Sequence, residues 1–579
     1  MGLTARPRDR WIPWAVAIVA ATSVYAVAVA MTGGFKFSLG TLRFSSHSWE
    51  RPAAIALIGA VALTMRARGA IAGYVGRIAA AVESTTFCRT AVVAAGIWTL
   101  AVGIAFGTFA SGGADSYGYV GQARLLAHGR LTDTIPVSAD FTWPNVDYTF
   151  TPLGFTKGTR PGVIAPIYPP GFPLLLAPFS ALSEHALYIV VPLFGVLLIW
   201  MTYRVGALSG DPLAGAVAAL LLAVSPTFLY QVVQPMSDVP CAACWMTALV
   251  LASRGSTRSA IASGAVSSLA ILIRPNLAPL AAVVLALTVA SSASARMRRA
   301  VYFIVSIAPG LAVLGWIQDV RYGSPLASGY GRASDMFSLS NVTPNLARYP
   351  RWITESHTPF IWVSLAAPFW IIRRAAHGPL AWASVVFAAA VWFAYLPYVF
   401  FQPNEWFYTR FLLPAIAVML VFASAVAISL LRLLAPLRRV PLSAAMLIGV
   451  AAACLIYAER QGAFDIHSQE QKYPRAGEYV RTRGPANAIV LAAQHSGSIR
   501  YYADRPTLRW DLLSPTRLDQ ALATFRAQGF EPVLVVDVGE YDSFRNRFAA
   551  SHQHAVEQLT PLAVLGDARV FGFGDGSSR

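Results

Sequence analysis

The sequence predicts an α-helical polytopic membrane protein with about thirteen transmembrane helices and a small C-terminal α/β soluble domain. Three observations predict it. Only 13% of the 579 residues are charged and 56% are hydrophobic, against about 25% charged in an ordinary soluble domain. Apolar runs recur along most of the chain, and a bilayer core takes roughly 20 such residues per helix. Arginines collect in short clusters between alternate runs, as in cytoplasmic loops.

Taken in order, the runs fall at 11–31, 52–67, 90–110, 186–204, 212–230, 239–253, 259–273, 276–291, 300–317, 359–372, 379–401, 411–432 and 441–457, with shorter runs accommodated by tilt and local thinning. The first follows Arg6, Arg8 and Arg10 and is longer than a signal-peptide core, so it reads as a retained helix that sets orientation. With the N-terminus cytoplasmic, the inside loops carry Arg66, Arg68, Arg77 and Arg89; Arg204; Arg254 and Arg258; Arg296, Arg298 and Arg299; Arg373 and Arg374; Arg432, Arg438 and Arg439. Every inside loop then holds arginine. The setting this implies is a bacterial inner membrane, with the C-terminal part extracytoplasmic.

Three units follow: an N-terminal hairpin and cytoplasmic loop (1–89), a membrane domain (90–457) with long outer loops at 111–185 and 318–359, and an extracytoplasmic α/β domain (458–579). In the last, Ala488–Ala493 and Pro532–Val538 read as buried strands. Ser514–Gln528 has helical spacing, with Ser514 as N-cap before Pro515. Gly572, Gly574 and Gly576 follow a strand-like run, but no helix comes after them, so they read as a frayed end rather than a phosphate loop.

The net charge of +17 comes from the membrane part, since acidic and basic residues are about equal in number after Ala458. That location argues against a nucleic-acid partner, which needs a basic stripe on one face. Cys241 and Cys244 form a CxxC inside the apolar run Val239–Leu251, a place for small packing residues rather than redox chemistry. No metal-ligand spacing is present, and a divalent-metal requirement stays open.

Candidate chemistry sits at the outer ends of the runs. Asp115, in Gly112-Gly113-Ala114-Asp115-Ser116-Tyr117, is either a partly desolvated carboxylate that meets substrate or a solvated helix cap. Asp238, in Gln234-Pro235-Met236-Ser237-Asp238-Val239-Pro240, is a second such carboxylate or an N-cap with Pro240 in the first turn. Lys157 and Arg160 precede Tyr168-Pro169-Pro170-Gly171; positive charge outside opposes the general trend, and guanidinium suits phosphate oxygens. Arg274, before Pro275, interrupts an apolar stretch, which marks it as functional or as the partner of a buried carboxylate. Glu355 and His357 lie in the second outer loop and offer acceptor positioning or loop solvation; Tyr117 and Tyr168 are candidate substrate contacts.

In order and spacing, Asp115, Tyr168-Pro169-Pro170-Gly171, the turn from Pro235 to Pro240, Arg274-Pro275 and Arg410-Phe411-Leu412-Leu413-Pro414 resemble the C-type integral membrane glycosyltransferase superfamily. Within it the motifs resemble those of protein O-mannosyltransferases and bacterial lipid A aminoarabinose transferases, and the likeness spans Ala91 to Leu434. The resemblance implies a polyprenyl-phosphate sugar donor and transfer outside the cytoplasm to a glycan, lipid or protein. Asp115 would be the base of a single, inverting displacement, supported by Asp238. Arg160, Lys157 or Arg274 would hold the donor phosphate, with Arg160 favoured because relatives carry a basic residue near the Tyr-Pro-Pro turn. Ser116 stands where the mannosyltransferases often have a second acid, and the tail matches no acceptor-binding motif, so the acceptor is left open. Tyr501, Tyr502, Arg505, Arg509 and Trp510 offer the tail an aromatic and cationic surface for it. The rival readings are a transporter or flippase, a polymerase of lipid-linked glycans, and a binding protein without catalysis.

Overall fold

The computed structural model describes residues 48–135, 141, 143–373, 378–400, 405–549 and 553–574, with the strands β1 (Phe35–Leu39) and β2 (Leu42–Ser46) and scattered positions from 11 to 29. Arg6, Arg8, Arg10, Arg374 and Gly576 lie outside the described residues, as does much of the expected first span.

Among the described residues, six helices are long and apolar enough to cross a membrane: Thr85–Ala105, Ala186–Leu208, Arg296–Tyr322, Gly378–Tyr395, Trp406–Leu431 and Pro436–Arg460. The pair Pro212–Ala223 and Pro226–Val232 is equally apolar but bent by 59° at its break, and makes a seventh when counted as one span. Five shorter apolar helices pack among them: Gly171–Leu182, Asp238–Ala252, Thr257–Ile273, Leu280–Ala290 and Pro359–Ile372. The expected thirteen spans therefore do not map one to one onto full-length helices. The core runs along Leu413–Leu431, which is buried over nearly its whole length, while Pro436–Arg460 leaves its sides exposed for lipid.

Local sequence fixes where these helices start. Ser84 accepts a hydrogen bond from the Phe87 amide at 3.2 Å. Asp211 accepts from Ala214 at 3.1 Å ahead of Pro212. Ser225 caps ahead of Pro226, and that cap and proline restart the chain after the 59° bend. Each such cap contributes about 1 kcal/mol. Asp211 also takes Arg432 at 2.5 Å, which ties the start of one helix to the end of the core helix.

Three segments expected as loops carry regular structure. Glu50–Glu83 is one unbroken 34-residue helix, so Arg66, Arg68 and Arg77 lie on a helix rather than in a loop; the apolar character ends where the helix does not. The segment 111–185 holds the helix Asp115–Ala127, a three-stranded antiparallel sheet of β3 (Asp133–Thr134), β5 (Val163–Pro166) and β4 (Phe155–Lys157), and the helix Gly171–Leu182. That last helix has only 12 residues, with Pro178 inside it, too short to register as a span. The segment 318–359 likewise carries the end of Arg296–Tyr322 and the amphipathic helix Val342–His357.

The C-terminal region forms a five-stranded sheet in the order β7 (Thr507–Leu508), β6 (Ala488–Leu491), β8 (Glu531–Asp537), β10 (Ala568–Phe573), β9 (Leu559–Leu565). The β6 strand runs parallel to β7 and β8, and β10 runs antiparallel to β8 and β9. Side chains alternate across a sheet, and both faces of β6 and β8 are covered, which accounts for their continuous apolar runs. Ala488 and Val490 pack with Ala476 and Val480. Ile489 and Leu491 pack with Leu522 and Phe525, and with Phe141, Trp143 and Phe150 from the segment after the helix Asp115–Ala127. The tail sheet and that segment thus share one core.

Candidate active site

Asp115 opens the helix Asp115–Ala127. Its position depends on close approaches that only glycine permits. A Cβ on Gly118 would lie 2.1 Å from the Tyr168 ring, and one on Gly112 would lie 2.0 Å from the Tyr473 ring. With that space, the Tyr168 hydroxyl donates to Asp115 Oδ1 at 2.5 Å, and Arg410 Nη2 donates to Oδ2 at 2.9 Å. The Tyr168 ring lies tilted against Tyr119 and edge-on to Tyr330, with centroids 4.5 and 5.8 Å away.

A second pair lies beside the first. Arg274 ends the helix Thr257–Ile273 in an extended conformation, as a residue before proline must. Its guanidinium donates to Asp238 Oδ1 at 2.7 Å and to Ser237 Oγ and the Tyr395 hydroxyl at 3.2 Å. Asp238 is the first residue of its helix and Ser237 holds the cap position, so the Asp238 carboxylate serves the arginine rather than a cap. The Phe411 ring lies 5.1 Å from both Arg274 and Arg410 and joins the two pairs.

The two carboxylates differ in access. The Asp115 side chain is 31% exposed and that of Asp238 2%. Burial alone would raise the Asp115 carboxyl, but the charge of Arg410 and the hydrogen bonds from Tyr168 and Arg410 hold it below the usual carboxylate range. Asp115 is therefore an ionised, reachable acceptor of a proton or hydrogen bond. Asp238 is closed off and balances Arg274.

Both pairs line one cavity of about 1260 Å³, together with Tyr119, Tyr168, Tyr330, Tyr395 and Tyr398. Part of its wall comes from the C-terminal region: Gln469, Glu470, Lys472, Tyr473 and Gln494. Lys472 is held by Asp537 at 2.6 Å, and the other Asp537 oxygen takes His495 Nε2 at 2.9 Å. Burial pushes the Glu470 carboxyl up to about 7.

The structure thus gathers Asp115, Asp238, Arg274 and Tyr168 and leaves the other candidates elsewhere. Lys157 and Arg160 are exposed on the β4–β5 hairpin, outside the cavity lining. The Tyr117 ring is buried against Phe155. Glu355 is half exposed, 3.8 Å from Arg351. His357 is buried between Ser225 Oγ at 2.7 Å and Ser356 Oγ at 2.8 Å. Tyr501 stacks under Arg124, Tyr502 accepts from the Ser111 amide, Arg509 pairs with Asp511, and Trp510 is buried; with Arg505, all lie outside the cavity lining. Among the described residues no group of three or more His, Cys, Asp or Glu side chains could hold a metal, and the four cysteines are buried and unpaired.

Sequence reasoning quoted Arg410 within a motif but gave it no role. The signal was available, because Arg410 stands at the head of the apolar run 411–432. Glu470 and Gln494 gave no comparable signal, since polar residues are ordinary in a soluble segment.

Residues 168–316 match the family model of dolichyl-phosphate-mannose-protein mannosyltransferases. A comparison with curated proteins finds no match. Among solved structures, ArnT from Cupriavidus metallidurans bound to undecaprenyl phosphate aligns over 85% of this chain and 99% of its own, at 12% identity and a TM-score of 0.52. The archaeal oligosaccharyltransferase AglB from Archaeoglobus fulgidus, in complex with an inhibitory peptide and a dolichol-phosphate, aligns over 85% of this chain and 75% of its own, at 13% identity and a TM-score of 0.50. A mutant arabinofuranosyltransferase AftD from Mycobacteria aligns over 85% of this chain and 42% of its own, at 14% identity and a TM-score of 0.50. At these identities the likeness is one of fold. The resemblance carried by the motifs is met again in these matches, and the chain is an integral membrane protein.

Proposed function

We propose that this protein is a glycosyltransferase that moves a sugar from a polyprenyl-phosphate carrier to an acceptor outside the cytoplasm. The observation that carries this reading is Asp115: an ionised carboxylate, open to a large cavity and oriented by Tyr168 and Arg410. In the proposed step the acceptor hydroxyl gives its proton to Asp115 as its oxygen attacks the anomeric carbon. The bond from that carbon to the phosphate oxygen breaks, and the electron pair leaves with the polyprenyl phosphate. A single displacement inverts the carbon. Charge builds on the leaving phosphate, and cations aimed at it lower the barrier.

We assign that phosphate to Arg410 and Arg274, because both line the cavity with Asp115. Arg160 and Lys157 lie outside it, which moves the weight first placed on Arg160 inward; their proposed part is the approach of an anionic headgroup to the protein surface. Asp238 keeps Arg274 charged and fixed. The long apolar helices put the lipid tail of such a donor in the bilayer, and a phosphate already attached to lipid needs no nucleotide pocket.

The test is purified protein in lipid nanodiscs, incubated with a panel of radiolabelled polyprenyl-phosphate sugars and membrane extract as acceptor source. Release of label from the lipid is the expected result. Transbilayer movement of an intact donor without release would replace the transferase with a flippase. A ladder of products in place of a single addition would make it a polymerase.

A further inference from the structure

The cavity is larger than the two ion pairs need. At about 1260 Å³ it exceeds the ~300–1,000 Å³ of common small-ligand pockets. A second stretch of its wall is built from two segments far apart in the chain. The helix Pro226–Val232 and the link after it supply Tyr230, Gln231 and Gln234, and the segment before the helix Lys472–Thr482 supplies Gln469 and Glu470.

These segments are tied together. Gln471 Nε2 donates to the Thr108 carbonyl at 2.9 Å, and the Thr108 amide donates to the Val233 carbonyl at 2.9 Å. Glu470 and Tyr230 thereby line the same stretch of cavity wall. Its nearest lysine, Lys472, is taken by Asp537. The Glu470 carboxyl makes no hydrogen bond or ion pair among the described residues. Gln231 is 1% exposed, lines the cavity, and has an Oε1 with no hydrogen-bond partner among the described residues. Buried polar atoms are nearly always paired, so an unpaired one on a cavity wall points to a ligand group that completes it. Three aromatic rings, Tyr230, Phe407 and Tyr473, line the same cavity.

We propose that this wall is an acceptor subsite and that it takes a carbohydrate, a sugar ring or short chain of rings whose reacting hydroxyl faces Asp115. This rests on the transferase reading above and gives its acceptor class. Sugar hydroxyls donate to Gln231 Oε1 and to Glu470, and the apolar faces of the rings lie on the aromatic side chains. An acyl chain would leave both polar groups unpaired. An extended peptide is commonly held by an exposed sheet edge, and none of the cavity-lining residues belongs to a β-strand.

The experiment is photolabelling of the full chain in nanodiscs with diazirine-bearing methyl glycosides of hexoses and pentoses, and with a diazirine-bearing Ser/Thr peptide, followed by peptide mapping. Glycoside labelling is expected on 226–238 and 466–473, competed by the unmodified glycoside. It is expected to fall at least tenfold in Gln231→Leu and in Glu470→Leu, which remove the acceptor oxygens, and to stay unchanged in Glu355→Gln, whose side chain lies outside the cavity. Should Gln231→Leu not fold, Gln231→Asn withdraws the amide by one methylene and reads the same contact. Glycoside labelling that misses both segments, or persists in both variants, overturns the subsite, as does preferential labelling by the peptide. Labelling that depends on both residues, in a protein that releases no sugar from any donor, keeps the subsite and removes the transferase reading. Sugar release without such labelling does the reverse.

Discussion

Arg410 and Asp115 stand 295 positions apart in the chain, yet a guanidinium nitrogen of one lies 2.9 Å from a carboxylate oxygen of the other. The pair joins the helix Asp115–Ala127 to the turn Trp406–Leu412 at the head of the core helix. Arg410 thus keeps Asp115 ionised, and in the proposed reaction it also stands beside the leaving phosphate. As the proton moves onto Asp115, that guanidinium is freed of its counter-charge while the phosphate gains one.

Asp115→Asn is therefore expected to lower the rate of sugar transfer by about 10²- to 10⁴-fold, the usual range for losing a general base, with little change in donor KM. Single-turnover release of labelled sugar measures it. A rate within threefold of wild type would take the base role away from Asp115.

Arg274 and Asp238 form the closed pair, with side chains 12% and 2% exposed. Removing one partner strands the other in a buried place. Arg274→Ala is expected to cost about 3–5 kcal/mol of stability and to lower protein yield and the thermal midpoint in nanodiscs. Arg160→Ala, at an exposed hairpin, is expected to leave both unchanged. Donor KM in the same two preparations locates the phosphate. An increase confined to Arg160→Ala would return the phosphate site to the hairpin.

The pH dependence follows from the sign of the Asp115 shift. Its folded-state carboxyl lies below the ordinary range despite burial, so it is ionised throughout the physiological range. The kcat/KM for transfer is expected to stay flat as pH falls through the usual carboxylate range and to drop only below it. The stability held in the Arg410 pair is present above the unfolded-state value and is lost as pH falls through the folded one. In Arg410→Met burial is left with less opposition, and the acid limb is expected to move to higher pH. An unmoved limb in that variant would show that another group controls it.

Much of this was legible in the sequence. Composition and the spacing of apolar runs gave the membrane class, and the strands Ala488–Leu491 and Glu531–Asp537 fall on continuous apolar runs. Asp115, Asp238 and Arg274 were visible because an ionisable group at the edge of an apolar run costs free energy that needs a reason. Hydropathy did not show that Glu50–Glu83 stays helical past its apolar half, because a helix leaving the bilayer keeps its backbone bonds while its side chains turn polar. It also missed Gly171–Leu182, which is shorter than a span. That Arg160 lies outside the cavity lining was not legible, because a charge beside a motif says nothing of where its side chain points. The tail's contribution to the cavity arises from pairing across more than 360 positions, as in the bond from Gln471 to Thr108, and no local pattern encodes such a contact.

Orientation is open to a direct test. With the N-terminus cytoplasmic, the cavity and the C-terminal sheet lie outside, because Glu470 and Asp115 line the same cavity. A periplasm-dependent reporter fused after Arg579 is expected to be active, and a cytoplasm-dependent one inactive. The opposite result would invert the topology and place the site in the cytoplasm, where an extracytoplasmic acceptor cannot reach it.

Glu470 supplies a second pH signature, opposite in sign to that of Asp115. Burial raises its folded-state carboxyl from 4.5 to about 7. The folded protein therefore binds a proton there that the unfolded chain has already released, and stability falls as pH rises between the two values. The contribution is fully present below about 4.5 and is lost as pH passes through about 7. Glutamine keeps the shape of the side chain but cannot ionise. Glu470→Gln is expected to flatten the fall in thermal midpoint between pH 5 and pH 8 that wild type shows, without lowering the midpoint at pH 5, where both side chains are neutral in the folded protein. Lys472 attracts the ionised form and Asp537 repels it, so Asp537→Asn, which also frees Lys472, is expected to move the step to lower pH. Identical midpoints for wild type and Glu470→Gln at both ends of the range would mean that the carboxyl is solvated and free to titrate as in water.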